Sequence, residues 1–389
     1  MYTNLHVAIQ ALYIILAFNL ICVAIIYAIK LRSIRRRKLN DRFQTKFKDY
    51  LTYVQANLDG MEPLRVPPWT MNSVEREAMQ EKLNDMMEIF AGEQRHKLVQ
   101  LCVDIGLVQH HLQRFNSRSY RVKLDAAYHL GCMRVKEAAP ALLDMLQKHP
   151  LDSSLFVVAR AVAKCARSQQ DLQAMVGMLL QHNKKYYELI VNIIADSDVD
   201  AASLYTGYVS HQNLAYVRIG LIGLNVYTDP AAASAVYRLM DAEQEDIQTK
   251  AVDLYLKSSR LLPRNIVSKL LNHPNLGIRH LTIEALADLK NTAYVELMTI
   301  SLSDPDQRIV YAVGKGLLRM GEEGMVAFCE SAAAAQGTER GQFMQQLIED
   351  EIKHLSMGLH NWNKLMQYNT LMYTYDKIFR KSKRIYRVV

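Results

Sequence analysis

Val122-Lys123-Leu124-Asp125-Ala126-Ala127-Tyr128-His129-Leu130-Gly131, followed after a short gap by Ala138-Ala139-Pro140-Ala141-Leu142-Leu143, reads as a pair of short helices. Val122, Ala126 and Leu130 recur at four-residue steps, which places them on one helical face. The same pattern returns along the chain. With Val122, Leu155, Tyr186, Val217, Ile247, Ile278 and Ile309 as anchors, the spacings are 33, 31, 31, 30, 31 and 31 residues. Four and eight residues beyond each anchor lie Ala126/Leu130, Ala159/Ala163, Ile190/Ile194, Leu221/Asn225, Ala251/Tyr255, Thr282/Leu286 and Val313/Leu317, most of them apolar or small. A second helix is predicted in each unit, over 138–148, 171–181, 199–210, 229–241, 263–272, 292–301 and 322–335. His149-Pro150, His273-Pro274 and Asp304-Pro305-Asp306 stand as breakers between units.

Two short helices cannot bury their apolar faces alone, whereas stacked pairs form a continuous core. The predicted fold is therefore all-α: a single N-terminal transmembrane helix followed by an α-solenoid of helical pairs. The boundaries expected are an anchor over 1–30, a basic stalk and Pro-rich linker over 31–72, a solenoid with capping helices over 73–357 (repeats about 118–336), and a basic amphipathic tail over 358–389. The pair quoted above resembles the short HEAT-like repeat of phycobilin lyases, and Ile278-Arg279 through Leu286 matches it more loosely. HEAT-repeat proteins are mostly scaffolds and adaptors, and that is what the resemblance implies.

The 389 residues are half hydrophobic with only 16 Gly and 9 Pro, which suits a mostly helical chain and excludes collagen-like or disordered classes. The formal net charge is +8, but residues 30–48 alone carry +8 and 377–389 carry +6, which leaves −6 on 49–376. Basic ends on an acidic body point to anionic lipid headgroups rather than nucleic acid. The five cysteines are odd in number and far apart, with no CxxC, so neither a disulfide framework nor a zinc site is indicated.

From Leu5 to Ile29 there is no charged residue, and twenty-five helical residues span about 37 Å, enough for a bilayer core of about 30 Å. Lys30, Arg32, Arg35, Arg36, Arg37 and Lys38 follow at once. The positive-inside rule then predicts a single pass at the inner (plasma) membrane, N-terminus out and the bulk of the chain cytoplasmic. Asn19, with the small pair Ala24 and Ala28, is a candidate contact for a partner transmembrane helix. Beyond it, Phe43, Phe47, Tyr50, Val54 and Leu58 form an apolar stripe ended by Asp59-Gly60. Asn72 with Glu75 reads as a helix start. At the other end, Leu365, Tyr368, Leu371, Met372, Tyr375, Ile378 and Phe379 form a stripe ahead of Arg380, Lys381, Lys383 and Arg384. Those basic residues are expected to touch lipid, to close the last repeat or to dock on a partner.

Catalytic signatures are missing. Gly314-Lys315-Gly316 lacks the spacing of a phosphate loop, and there is no HExxH or GxSxG. Adjacent His110 and His111 point about 100° apart on a helix and read as partly exposed surface histidines. Asp196-Ser197-Asp198-Val199-Asp200 opens like a calcium loop, but Ala201 and Gly207 stand where Gly and Glu are required, so Asp198 is expected to cap a helix. Cys132 and Cys165 read as inert buried thiols.

The function expected is a membrane-tethered cytoplasmic scaffold that binds a protein partner, with no catalytic residue, metal or cofactor. An anchor joined to a HEAT-like array is also similar in architecture to proteins of bacterial envelope clusters that accompany processive membrane glycosyltransferases. That resemblance implies an accessory subunit of exopolysaccharide synthesis or export. Two other classes stay open: a HEAT-like lyase or other enzyme acting on a bound cofactor, and a HEAT-fold nucleic-acid binder, which the −6 body opposes.

Overall fold

The structure is a computed structural model that describes residues 2–148, 154–181, 185–225, 230–258, 261–358 and 360–380. Among the described residues every regular element is helical. The chain forms two compact units. The first comprises residues 1–185 and 192–199, the second 186–191 and 200–389.

The first unit opens with α1 (Tyr2–Asn57), α2 (Ser73–Ile89), α3 (Gly92–Asp104) and α4 (Leu107–Phe115). Then come α5 (Tyr120–Cys132), α6 (Ala139–Gln147), α7 (Leu155–Cys165) and α8 (Gln169–Gln181). The helix α9 (Tyr187–Ala195) gives its first residues to the second unit and the rest to the first. Packing skips one helix at a time: α5 lies on α7 and α6 on α8, while consecutive helices close each pair.

The second unit contains α10 (Ala202–Tyr208), α11 (Leu214–Leu224), α12 (Ala233–Leu239), α13 (Glu245–Ser258), α14 (Arg264–Leu271) and α15 (Leu276–Leu289). It continues with α16 (Val295–Ile300), α17 (Gln307–Arg319), α18 (Glu322–Ala334), α19 (Glu339–Ser356) and α20 (Trp362–Tyr375). Here α11, α13, α15, α17 and α19 pack in succession as one layer, and α14, α16, α18 and α20 as the other. This is a repeat-like stacking of helix pairs, compatible with a solenoid.

The sequence period explains the core. The residue four beyond each anchor is buried in all seven units: Ala126, Ala159, Ile190, Leu221, Ala251, Thr282 and Val313. Thr282 is tolerated there because its hydroxyl donates to the Ile278 carbonyl at 2.8 Å. Side-chain bonds repeat the same interval. Arg160 reaches Asn192 (2.7 Å), Asn275 reaches Glu245 (2.7 Å), Arg264 reaches Glu296 (2.5 Å), and Tyr294 donates to the Leu262 carbonyl (2.9 Å). Caps recur with it too: Asn213, Asn275 and Asp306 each accept from a backbone N–H in the first turn of α11, α15 and α17. Arg308, bonded to it, holds the Asp306 carboxyl down to about 2.

The linker folds back onto α1. Phe47, Tyr50, Val54 and Leu58 are buried, Trp69 stacks on Phe47 at 6.1 Å, and Tyr50 donates to the Arg65 carbonyl at 2.7 Å. Asn72 and Glu75 form a reciprocal capping box at the start of α2.

The N-terminal expectation is corrected. Among the described residues no helix is long and apolar enough to cross a membrane. The transmembrane anchor over 1–30 is overturned with it. So are the N-out/C-in topology and the inner-membrane location that were inferred from the anchor. Asn19 donates within its own helix to the Ile15 carbonyl at 2.9 Å, and Ala24 and Lys30 are exposed. The side chains of Ala28, Arg32, Arg35, Arg36, Arg37, Lys38 and Arg380, and all of Lys381, Lys383 and Arg384, lie outside the described residues.

Candidate functional site

A cavity of about 440 Å³ opens in the first unit between α2, α4 and α5. The residues that line it are Arg76 and Gln80 on α2, His110, His111 and Arg114 on α4, and Arg121, Val122, Asp125 and His129 on α5, with Ser73 and Glu77 beside them. The two adjacent histidines diverge as helical geometry requires. His110 is half-buried, but His111 is 2% exposed and is not a surface residue. Its ring lies 4.6 Å from that of His129.

Hydrogen bonding fixes the tautomer of His111. Its Nε2 lies 2.7 Å from Gln80 Oε1, which can only accept, so Nε2 carries the proton. Burial, followed by the neighbouring His129, His110 and Arg114, pushes the imidazole down to about 3, so it is neutral and Nδ1 presents a lone pair. That nitrogen has no partner, nor do Gln80 Nε2 and Arg76 Nε. His129 faces Asn84 Nδ2 at 3.0 Å through Nδ1 and Asp125 at 3.7 Å through Nε2. Desolvation lowers its affinity for a proton and Asp125 partly restores it. Arg114 holds Asp125 at 2.9 Å.

These groups make acid a specific threat to the first unit. The unfolded chain protonates His111 near its ordinary value of 6.5, whereas the folded chain excludes that proton down to about 3. Stability from this group is therefore complete above about pH 6.5 and falls as pH drops toward 3, by up to about 1.4 kcal/mol per pH unit. Gln80, Glu77 and Arg76 on α2, His110 and Arg114 on α4, and Asp125 and His129 on α5 face the same space. Urea unfolding at pH 7 and pH 5 should show a larger acid loss in the wild type than in His111→Phe. Equal losses would contradict the burial of a neutral His111.

A second polar cluster surrounds Asp198. Arg134 and Arg95 reach Asp198 Oδ1 at 3.1 and 3.2 Å, and Lys136 reaches Oδ2 at 3.9 Å. Arg160 holds Asp196 at 2.5 Å. Asp198 is thus an ion-pair acceptor rather than the expected helix cap. The local turn is made instead by Asp200, whose Oδ1 accepts from Ala202 N at 3.0 Å. Asp196 and Asp198 are each held by a cation, so the DxDxD run acts as a structural tie. Among the described residues no group of three or more His, Cys, Asp or Glu side chains is arranged to hold a metal ion.

Cys102, Cys165 and Cys329 are buried, and desolvation pushes each thiol up to about 12. Cys132 is raised in the same way, so none of the four is poised as a nucleophile.

The second unit ends on an unusual helix. The stripe expected near the C-terminus faces inward: Leu371 and Phe379 are buried, and Tyr375 bonds Glu349 at 2.5 Å. The opposite face of α20 carries Trp362, Met366 and Tyr373, exposed by 71%, 51% and 70%. At 100° per residue these three fall within about 40° of one another and about 140–180° from Leu371. The sequence reading missed this second stripe, although its spacing of four and seven residues was a readable signal.

No family model matches the chain, and no curated protein matches it. Among solved structures 21 chains match. One is the crystal structure of an engineered protein, 15% identical, covering 79% of this chain and 96% of that chain with a TM-score of 0.34. A likeness of that degree carries no argument about function.

Proposed function

We propose that this chain is a non-catalytic scaffold of HEAT-like helical pairs that binds a protein partner through the outer face of its last helix. The observation that carries this reading is the stripe of Trp362, Met366 and Tyr373 on α20, set opposite the face that packs on α18 and α19. Trp, Tyr and Met are the side chains enriched at protein interfaces, and Trp and Tyr are those most often found as binding hot spots. The partner presents a complementary apolar surface, and the stacked pairs behind α20 hold the stripe rigid.

A photoreactive amino acid in place of Trp362, in the full chain within its native cells, should give one discrete cross-linked protein. The same group in place of exposed Glu323 on α18 should not. Trp362→Ala with Tyr373→Ala should lower recovery of that protein at least about tenfold while the helical circular dichroism is kept, since both side chains are largely exposed. An adduct equally strong from position 323, or recovery untouched by the double substitution, would exclude this face as the docking surface.

A further inference from the structure

The first half of α1 presents apolar surface that neither the helix stack nor the scaffold reading uses. From Ile15 to Tyr27 every side chain except that of Cys22 is exposed, and nine of them are large hydrophobic residues exposed by 53–66%. At roughly 100 Å² apiece they offer about 900 Å² of apolar surface. The largest such patch on a typical monomer is about 300–600 Å². Each partner in a standard stable interface contributes about 800 Å², so α1 carries the area that a lasting association needs. A helix that is apolar on every side is ordinarily a covered one.

What covers it follows from one polar residue. Asn19 carries the only side-chain amide or charge between Ile15 and Tyr27. Its Nδ2 donates to the Ile15 carbonyl, and the amide keeps further donor and acceptor capacity for a neighbour. Ile15, Asn19, Cys22, Ile26 and Ile29 follow one another at steps of 4, 3, 4 and 3 residues and lie within about 80° on the helix. That is the heptad spacing of a coiled-coil seam, and Leu5, Ala8 and Leu12 continue it upstream in the sequence. Asn19 and Ile26 then take a positions, with Ile15, Cys22 and Ile29 at d. So apolar a helix allows other stripes, but Asn19 selects this one. An amide at a single a position fixes register and copy number because it meets its own counterpart on the facing helix. A different protein would have to bring a matching amide to the same depth, whereas a second copy of α1 supplies it by symmetry.

We infer that two copies of this chain pair in parallel through α1, with Asn19 facing Asn19 and Cys22 facing Cys22 across the seam. An antiparallel pair centred on Asn19 would set the two Cys22 residues about 9 Å apart along the axis, beyond the reach of a disulfide. The basic run that begins at Lys30 ends the apolar register. A parallel pair brings these like charges to the same end, so added salt should tighten the dimer by screening them. The pairing does not depend on the partner proposed for α20.

Cys22 is a built-in probe, because the other four cysteines are buried. Mild oxidation of the full chain should give a disulfide-linked species of twice the chain mass, and Cys22→Ser should abolish it. In the Cys22→Ser chain, Ile15→Cys or Ile26→Cys should cross-link at least about tenfold better than Leu20→Cys or Ala24→Cys, which lie about 120–180° from the two seam positions. Ile15→Asp with Ile26→Asp should lower the dimer fraction about tenfold or more while the helical circular dichroism is kept, since both side chains are exposed. Asn19→Leu should still cross-link but spread the product over the off-seam positions, because the register is no longer fixed. Sedimentation of the wild type as a monomer, equal cross-linking at all four positions, or a dimer untouched by the double aspartate variant would each overturn the pairing. A cross-linking pattern unchanged in Asn19→Leu would overturn the role given to Asn19.

Discussion

Replacing Gly131 with leucine is expected to unfold the helix pairs of the first unit, at a cost of about 3 kcal/mol or more. Gly131 lies on the face of α5 that meets α7, and a Cβ placed there would stand 2.8 Å from the Ala161 Cα and 3.0 Å from its Cβ. Those atoms belong to a helix backbone and cannot swing aside, so α5 and α7 must separate. Ala126, Ala127, Leu130, Ala159 and Val162, all buried around that line, would then lose their contacts together. Gly131→Ala should already cost stability, even though alanine favours a helix by nearly 1 kcal/mol over glycine. Ala161→Gly in the same chain should restore part of the loss, because it removes the Cβ on the facing side. The measurement is native-state hydrogen exchange combined with urea unfolding. Amides of α5 to α8 should lose protection first, since each pair in a repeat array is stabilised by its neighbours. A Gly131→Leu chain as stable as wild type would mean that α5 and α7 do not approach in this way.

Gly131 also shows which part of the fold can be read directly from residues. The 31-residue recurrence exposes the core because the residue four beyond each anchor has no other place to go than between layers. Its burial in all seven units follows from local periodicity alone, as does the capping box at Asn72 and Glu75. The caps at Asn213, Asn275 and Asp306 obey the same period and were readable, but only after the helix starts had been fixed. The misreadings of Asp198 and His111 have a different origin. Asp198 is claimed by Arg95, Arg134 and Lys136, which lie 103, 64 and 62 residues earlier in sequence, and no local rule reports a pairing of that length. The sequence of α4 alone puts His111 at the surface because its own helix offers nothing to bury it; α2 supplies Gln80 from 31 residues upstream. The cavity joins three helices whose polar inward positions look, one helix at a time, like ordinary solvated faces. For α1 the uncharged run read from sequence does not correspond to a helix long and apolar enough to cross a membrane among the described residues.

The second large effect is expected in the second unit, where Arg279 on α15 and Asp304 ahead of α17 form a pair at 2.8 Å with side-chain exposures of only 16% and 9%. Asp304 does three things at once. Its Oδ2 accepts from Arg279, its Oδ1 accepts from the Asp306 N–H at 2.9 Å, and its carbonyl accepts from Arg340 on α19 at 3.0 Å. The first two bonds are lost in Asp304→Ala, leaving a guanidinium largely cut off from water and a turn without its internal acceptor. Breaking one side of a buried pair typically costs about 3–5 kcal/mol, and the residual exposure of Arg279 puts the expected value near the lower end, about 3 kcal/mol. Asp304→Asn keeps an oxygen for the turn and should cost roughly half as much. Replacing both partners with apolar residues, as in Arg279→Met with Asp304→Leu, should recover most of the loss, because desolvating two charges consumes much of what their attraction returns. Wild type, Arg279→Met, Asp304→Leu and the double variant form a double-mutant cycle read by urea unfolding. A coupling well above 1 kcal/mol would mark the pair as formed and shielded, since exposed ion pairs rarely exceed that value. Strict additivity would show that Arg279 and Asp304 do not meet, and the joint between α15 and α17 would then have to rest on its apolar contacts alone.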